Sequence, residues 1–227
     1  MSEKPTIEKF AALIPDSLRS VSGSVFYSGR RAFSAPSPLY ILGINPGGSP
    51  IEQATETVAW HTKKVLTQLP ADWSAYRDES WRNNPPGTFR MQPRVLHMLR
   101  YLELNPGEVP SSNLLFERSA READLKGRSR YLADKCWPLH SAVIEQLKIR
   151  VVVCFGKSVG DYVRGQLGAT NQVDEFVETN RRNWRSVAYS SSNRVVVVVA
   201  THPSIADWTK QDTDPSPMIA RLLESLT

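Results

Sequence analysis

Three short stretches hold side chains that can orient, donate or accept at a reacting bond. They are Asn45 in Gly43-Ile44-Asn45-Pro46-Gly47-Gly48, Asn113 in Ser112-Asn113-Leu114-Leu115, and His202 in Thr201-His202-Pro203-Ser204. A carboxamide offers one acceptor and a pair of donors, so Asn45 and Asn113 can hold a water or read a polar ligand edge. A neutral imidazole can donate to developing negative charge. Each stretch also has a plainer reading. Asn-Pro-Gly-Gly serves a turn by geometry alone, and a lone histidine is more often structural than chemical. Gly156-Lys157-Ser158 resembles the end of a phosphate-binding loop, but that loop needs glycine five residues before the Gly-Lys pair, and Val151 stands there. Ser204, His202 and Asp207 share one short segment without a nucleophile elbow, which argues against a serine hydrolase. Cys136 and His140 are four apart and lack further clustered ligands, so a packed cysteine and a surface histidine are expected rather than zinc.

The elements that must position these residues follow from pattern. Leu39 to Leu42, Asn113 to Phe116, Val151 to Phe155 and Val195 to Ala200 read as strands. Helices are expected near Ile7 to Leu13, Glu52 to Leu69, Arg94 to Leu102, Pro138 to Leu147, Gly156 to Leu167 and Ser216 to Leu226. Ser24 to Phe33 reads as a hairpin, and the tryptophan-bearing stretch Asp72 to Arg90 as an ordered loop. Nearly continuous β-branched runs alternating with helices predict a parallel sheet covered on both faces. Ligands bind such sheets at the carboxyl ends of the strands. Three strand ends carry candidate chemistry: after Leu42, at Asn113 and after Ala200.

The chain has 227 residues, 41% hydrophobic and 22% charged, enough for a full core in one domain. Its formal charge of +5 suits a polyanionic partner as well as an ordinary solvated surface. The first ten residues have no apolar core, so no cleaved signal is expected. The longest aliphatic run, Val195 to Ala200, is too short to span a bilayer. Two cysteines cannot build a disulfide framework or bind an iron–sulfur cluster, so the cytoplasm is the expected compartment.

Taken in order, these motifs resemble the uracil-DNA glycosylase superfamily. Gly43-Ile44-Asn45-Pro46-Gly47 is similar to the first motif of its mismatch-specific and single-strand-selective branches. His202-Pro203-Ser204 resembles the second motif, as in the single-strand-selective and classical branches. Between them, Ser112 to Leu115 resembles the base-recognition strand, and Val151 to Lys157 the valine-rich strand that ends in glycine. The order and spacing match from about Ser24 to Trp208. Two features depart from the family. The cluster cysteines of the thermophilic branches are absent, and Ile205-Ala206-Asp207-Trp208 is not the usual wedge sequence.

The resemblance implies a single-domain three-layer α/β/α fold around a central, mostly parallel four-stranded sheet. It implies a monofunctional glycosylase that flips a base out of DNA and hydrolyses its glycosidic bond, as a monomer without metal or organic cofactor. On this view Asn45 and His202 are catalytic: Asn45 holds the attacking water and His202 stabilises charge on O2 of the base. Gly43, Ile44, Gly47 and Asn113 line the base pocket, with Trp60 or Phe89 stacking. Ser204, Ile205, Trp208, Lys157 and Arg182 face DNA, with Ile205 and Trp208 as wedge candidates. Arg181 to Arg185 and Arg118 to Lys135 are candidate phosphate contacts. In the classical enzymes a tyrosine walls off carbon 5 of the base. Its matching position here is Gly47, which implies tolerance of 5-substituted pyrimidines unless an aromatic refills the gap. The alternatives are a non-catalytic nucleic-acid- or nucleotide-binding module with the same fold, and a small-molecule hydrolase using His202.

Overall fold

The computed structural model describes residues 4–125 and 127–226. The helices α1 (Ile7–Ala11) and α2 (Asp16–Arg19) precede β1 (Leu39–Gly43). Then come α3 (Val58–Thr67), α4 (Ala75–Asp78), α5 (Met91–Tyr101) and β2 (Ser111–Asn113). They are followed by α6 (Ser129–Gln146), β3 (Val151–Phe155), α7 (Lys157–Leu167), β4 (Asn171–Val177), β5 (Arg185–Ser190), β6 (Val196–Ala200) and α8 (Ser216–Ser225).

The sheet has six strands in the order β2-β1-β3-β6-β5-β4, not four. The strands β2, β1, β3 and β6 are mutually parallel, as expected. The antiparallel hairpin β4–β5 extends them through β6. The reason it escapes the sequence pattern lies in β4, Asn-Gln-Val-Asp-Glu-Phe-Val, which has no fully buried position. An edge strand that keeps charge along its length lacks the apolar run by which buried strands are recognised.

Alternate residues of the parallel strands face opposite cores. Tyr40, Leu42, Val152, Cys154 and Val197 join the core that includes residues of α1, α3, α6 and α7. Leu39, Ile41, Val151, Val153 and Val198 join the one beneath α5 and α8. This period of two, buried on both sides, makes a three-layer arrangement.

Other boundaries shift for local reasons. The segment at Ser24 to Phe33 is not a hairpin. It runs antiparallel along the outer side of β2, bridging Phe26 to Ser112 and Gly23 to Glu117, and then turns through a short 3-10 helix at Arg30–Phe33. It thereby covers a sheet edge that would otherwise stay open. The helix expected to begin at Pro138 begins at Ser129 and carries Pro138 inside it. The stretch before Val58 is turn, and α3 starts where the Thr57 hydroxyl caps the Trp60 amide.

Candidate functional site

The register of the parallel strands brings the three motifs together. Gly43 pairs with Asn113 across β1 and β2, and Phe155 pairs with Ala200 across β3 and β6. Their carboxyl ends open onto one cavity of about 860 Å³. Asn45, Asn113 and His202 all line it, as do Gly43, Ile44, Gly47, Trp60, Phe89, Lys157, Ser204 and Ile205.

The loop after β1 is fixed by backbone bonds to the chain leaving β2. Leu114 donates to Gly43, Leu115 to Ile44 and Ser119 to Pro46. The Asn45 Nδ2 is fully engaged, donating to the carbonyls of Pro46 and Ser119 and to the Ser119 hydroxyl at 2.8, 3.1 and 3.0 Å. Its Oδ1 accepts no hydrogen bond among the described residues, which leaves one oriented acceptor. Arg118 secures the next turn, with Nη1 donating to the Gly47 carbonyl at 2.7 Å and Nη2 meeting Glu56 at 3.1 Å. A methyl group at Gly47 would meet nothing within 4 Å, so the space beside it is open.

Asn113 is 6% exposed, and its Nδ2 has no hydrogen-bond partner among the described residues. Its Oδ1 lies so close to Gly43 that a β-carbon there would stand 2.3 Å away, which explains the glycine. The Tyr27 hydroxyl faces this amide and Ser24. A sealed, unpartnered amide costs about 1–3 kcal/mol, a cost that a ligand can relieve.

At the β6 end, the Ser204 backbone amide donates to His202 Nδ1 at 3.0 Å, and the Ser204 hydroxyl lies 2.8 Å from the same nitrogen. An N–H pointing at Nδ1 makes it the acceptor, so the ring proton sits on Nε2. Burial lowers the His202 pKa from its usual value, against an opposing pull from Glu122, and so favours the neutral ring. Phe155 stands edge-on to the imidazole with centroids 6.0 Å apart. Gly156, at φ +96°, takes the chain from β3 into α7 in a conformation that favours glycine.

The remaining wall is aromatic. Trp60, 45% exposed, carries the Lys64 ammonium over its ring, and Phe89 is half-buried beneath Arg90. Trp73, Tyr76 and Trp81 complete this side. Sequence reasoning missed Tyr27, His61, Glu79 and Phe155 as lining residues. A strand-end rule would have found Phe155, which directly precedes Gly156.

Two expected DNA-facing residues lie elsewhere. Trp208 is fully buried, packed edge-on to Phe155, and its Nε1 donates to the Thr201 carbonyl. It braces the His202 loop from beneath and is no wedge, whereas Ile205 is 58% exposed at the cavity mouth. Arg182 lies outside the lining. It pairs with buried Glu178, stacks on Trp184 and donates to the Ile205 carbonyl. Lys157 reaches the rim but pairs with Asp161. His140 is not a surface residue. It is fully buried, accepting from the Tyr40 hydroxyl at Nδ1 and donating from Nε2 to the Leu114 carbonyl. Within the basic stretch from Arg118 to Lys135, Lys126 lies outside the described residues. Among the described residues no group of three His, Cys, Asp or Glu is placed to hold a metal ion, and no helix is long and apolar enough to cross a membrane.

No protein-family model matches this chain, and no curated protein matches it either.

Proposed function

We propose that this protein is a DNA glycosylase of the uracil-DNA glycosylase type, acting on uracil or a 5-substituted pyrimidine flipped out of DNA. One observation carries the reading. Three polar groups converge on a single strand-end cavity, each with an unused hydrogen-bonding function: the Asn45 Oδ1, the Asn113 carboxamide and the His202 Nε2–H. The four parallel strands, with every motif at their carboxyl ends, support the family likeness.

The chemistry follows from these groups. A flipped pyrimidine places its O4 and N3–H edge against Asn113. As the glycosidic bond breaks, positive charge builds on the sugar and negative charge on the base. His202 donates from Nε2 to O2 of the departing base. A positioned donor of this kind is worth about 3–4 kcal/mol in the transition state. Asn45 Oδ1 accepts a hydrogen bond from the water that attacks C1′. The water oxygen bonds to C1′, its proton passes to solvent, and the base leaves with the bonding electron pair, later taking up a proton. The product is an abasic site. Flipping costs roughly a few kcal/mol, and Ile205 at the mouth is the side chain available to fill the vacated stack.

The test is a gel assay. The protein is incubated with oligonucleotides carrying a panel of bases, and abasic sites are then cleaved with alkali. Strand breaks confined to uracil or its 5-substituted derivatives, and lost in His202→Ala, are expected. No breaks on any base would overturn the reading.

A further inference from the structure

At about 860 Å³ the cavity is far larger than a pyrimidine, and Gly47, His61 and Glu79 all line it. Gly47 leaves the space beside it empty, and Arg118, bonded to the Gly47 carbonyl, also acts electrostatically on His61 of α3 and on Glu79, which line the same cavity. There His61 is 9% exposed, with its ring 6.4 Å from that of Trp73. Its Nδ1 is closed from solvent and has no partner among the described residues. The side chain nevertheless faces the cavity, and among the described residues Nε2 makes no hydrogen bond either. Glu79 lines the same region. One carboxylate oxygen accepts from Trp81 Nε1 at 2.8 Å, and the other accepts no hydrogen bond among the described residues.

Burial, reinforced by Lys64 and Arg118, pushes the His61 pKa down to about 4, so the imidazole is neutral at physiological pH. Lys64, Arg118, Glu56 and Glu79 balance one another in charge around this end. A charged ligand gains little there. A neutral group rich in hydroxyls can donate to the Glu79 oxygen, exchange a hydrogen bond with His61 and lay its C–H faces on Trp60 or Trp81.

We propose that the space between Gly47, His61 and Glu79 is a second recognition pocket, which receives a bulky, uncharged, hydroxyl-bearing substituent on carbon 5 of the flipped base. This rests on the base-excision reading above and extends it from a pocket that merely tolerates carbon-5 groups to one that binds them.

Three otherwise identical oligonucleotides test the proposal, bearing uracil, 5-hydroxymethyluracil or 5-(β-D-glucosyloxymethyl)uracil. Wild type should release the glucosylated base at least as fast as uracil. In His61→Phe, and separately in Glu79→Gln, the ratio of the glucosylated to the uracil rate should fall at least tenfold. Glu79→Gln keeps an acceptor for Trp81 and so guards against loss of the fold in the first variant. A wild type that releases uracil but not the glucosylated base overturns the proposal, as does an unchanged ratio in both variants. Calorimetric binding of the free glucosylated nucleoside and of deoxyuridine separates the two readings if no base is released at all. Preference for the glucosylated nucleoside that is lost in the variants keeps the pocket and discards the glycosylase. Equal or absent binding of both nucleosides discards the pocket.

Discussion

At the residue scale, the site depends on what each polar group has left over after its structural bonds are made. Asn45 spends Nδ2 on Pro46 and Ser119, and His202 spends Nδ1 on Ser204. Both keep the function that the proposed hydrolysis needs. His202→Ala should therefore lower the single-turnover rate about 10²–10³-fold, and Asn45→Ala should also lower it strongly. Both variants should bind DNA within a few-fold of wild type, as measured by fluorescence anisotropy. A parallel loss of affinity and rate would make the two residues structural. The same bonding pattern sets a pH response. Protonating His202 would bring a second N–H against the Ser204 amide and release the ring from its orientation. Because burial holds its pKa below the usual value, the rate should decline on acidification at lower pH than the titration of a free imidazole would give. In Glu122→Gln, which removes the opposing pull, that decline should move to still lower pH. Asn45, Asn113 and His202 were legible in the sequence because each sits at a strand end in a short motif. Tyr27, His61 and Glu79 were not, since they join the cavity only when distant segments fold over it.

At the element scale, the His202 loop is held from both sides. Arg94 of α5 donates to the Pro203 carbonyl and meets Asp207 at 3.3 Å, while Arg182 from the β4–β5 turn donates to the Ile205 carbonyl. Trp208 fills the space beneath. These contacts fix the loop that carries His202, so in the proposed reaction small displacements would carry a rate cost. Arg94→Ala should lower kcat roughly tenfold with little change in KM, and Arg94→Lys should recover part of it, as steady-state kinetics on the best substrate would show. A KM effect alone would assign Arg94 to DNA contact instead. The strands β1, β3 and β6 were legible because each is an apolar run in the middle of the sheet, whereas β2 reads Ser-Ser-Asn and lies at Ser111–Asn113, not at the expected Asn113 to Phe116. The hairpin was not legible, although it supplies Arg182. Its outer strand is polar, and Arg181 to Arg185 looks like a basic stretch rather than a turn entering β5. The start of α6 was misplaced because Pro138, a residue suited to a first turn, sits inside that helix.

At the scale of the whole molecule, the layers that carry the site are tied together by a buried histidine. His140 on α6 joins Tyr40 of β1 to the Leu114 carbonyl just past β2, next to the strand ends that position Asn45 and Asn113. The Leu114 carbonyl can only accept, which puts a proton on Nε2, and in the neutral ring that burial favours, Nδ1 accepts from the Tyr40 hydroxyl. Burial pushes its pKa down to about 4, against 6.5 for a free imidazole. The unfolded chain therefore binds a proton at this residue between roughly pH 6.5 and 4 while the folded protein does not. Stability is full above that window and is lost as pH falls through it, by about 3 kcal/mol for this one group. His61, also lowered to about 4, contributes in the same direction. Urea unfolding at pH 7, 6 and 5 should show the midpoint falling steadily. In His140→Gln, which keeps an amide donor for Leu114 and an acceptor for Tyr40 but cannot titrate, the fall should be shallower by about one proton's worth, some 1.4 kcal/mol per pH unit. The variant should be less stable than wild type at pH 7 and lose less on acidification. If both proteins lose stability equally between pH 7 and 5, His140 is already protonated in the fold. The neutral Tyr40–His140–Leu114 link beneath the site would then be wrong.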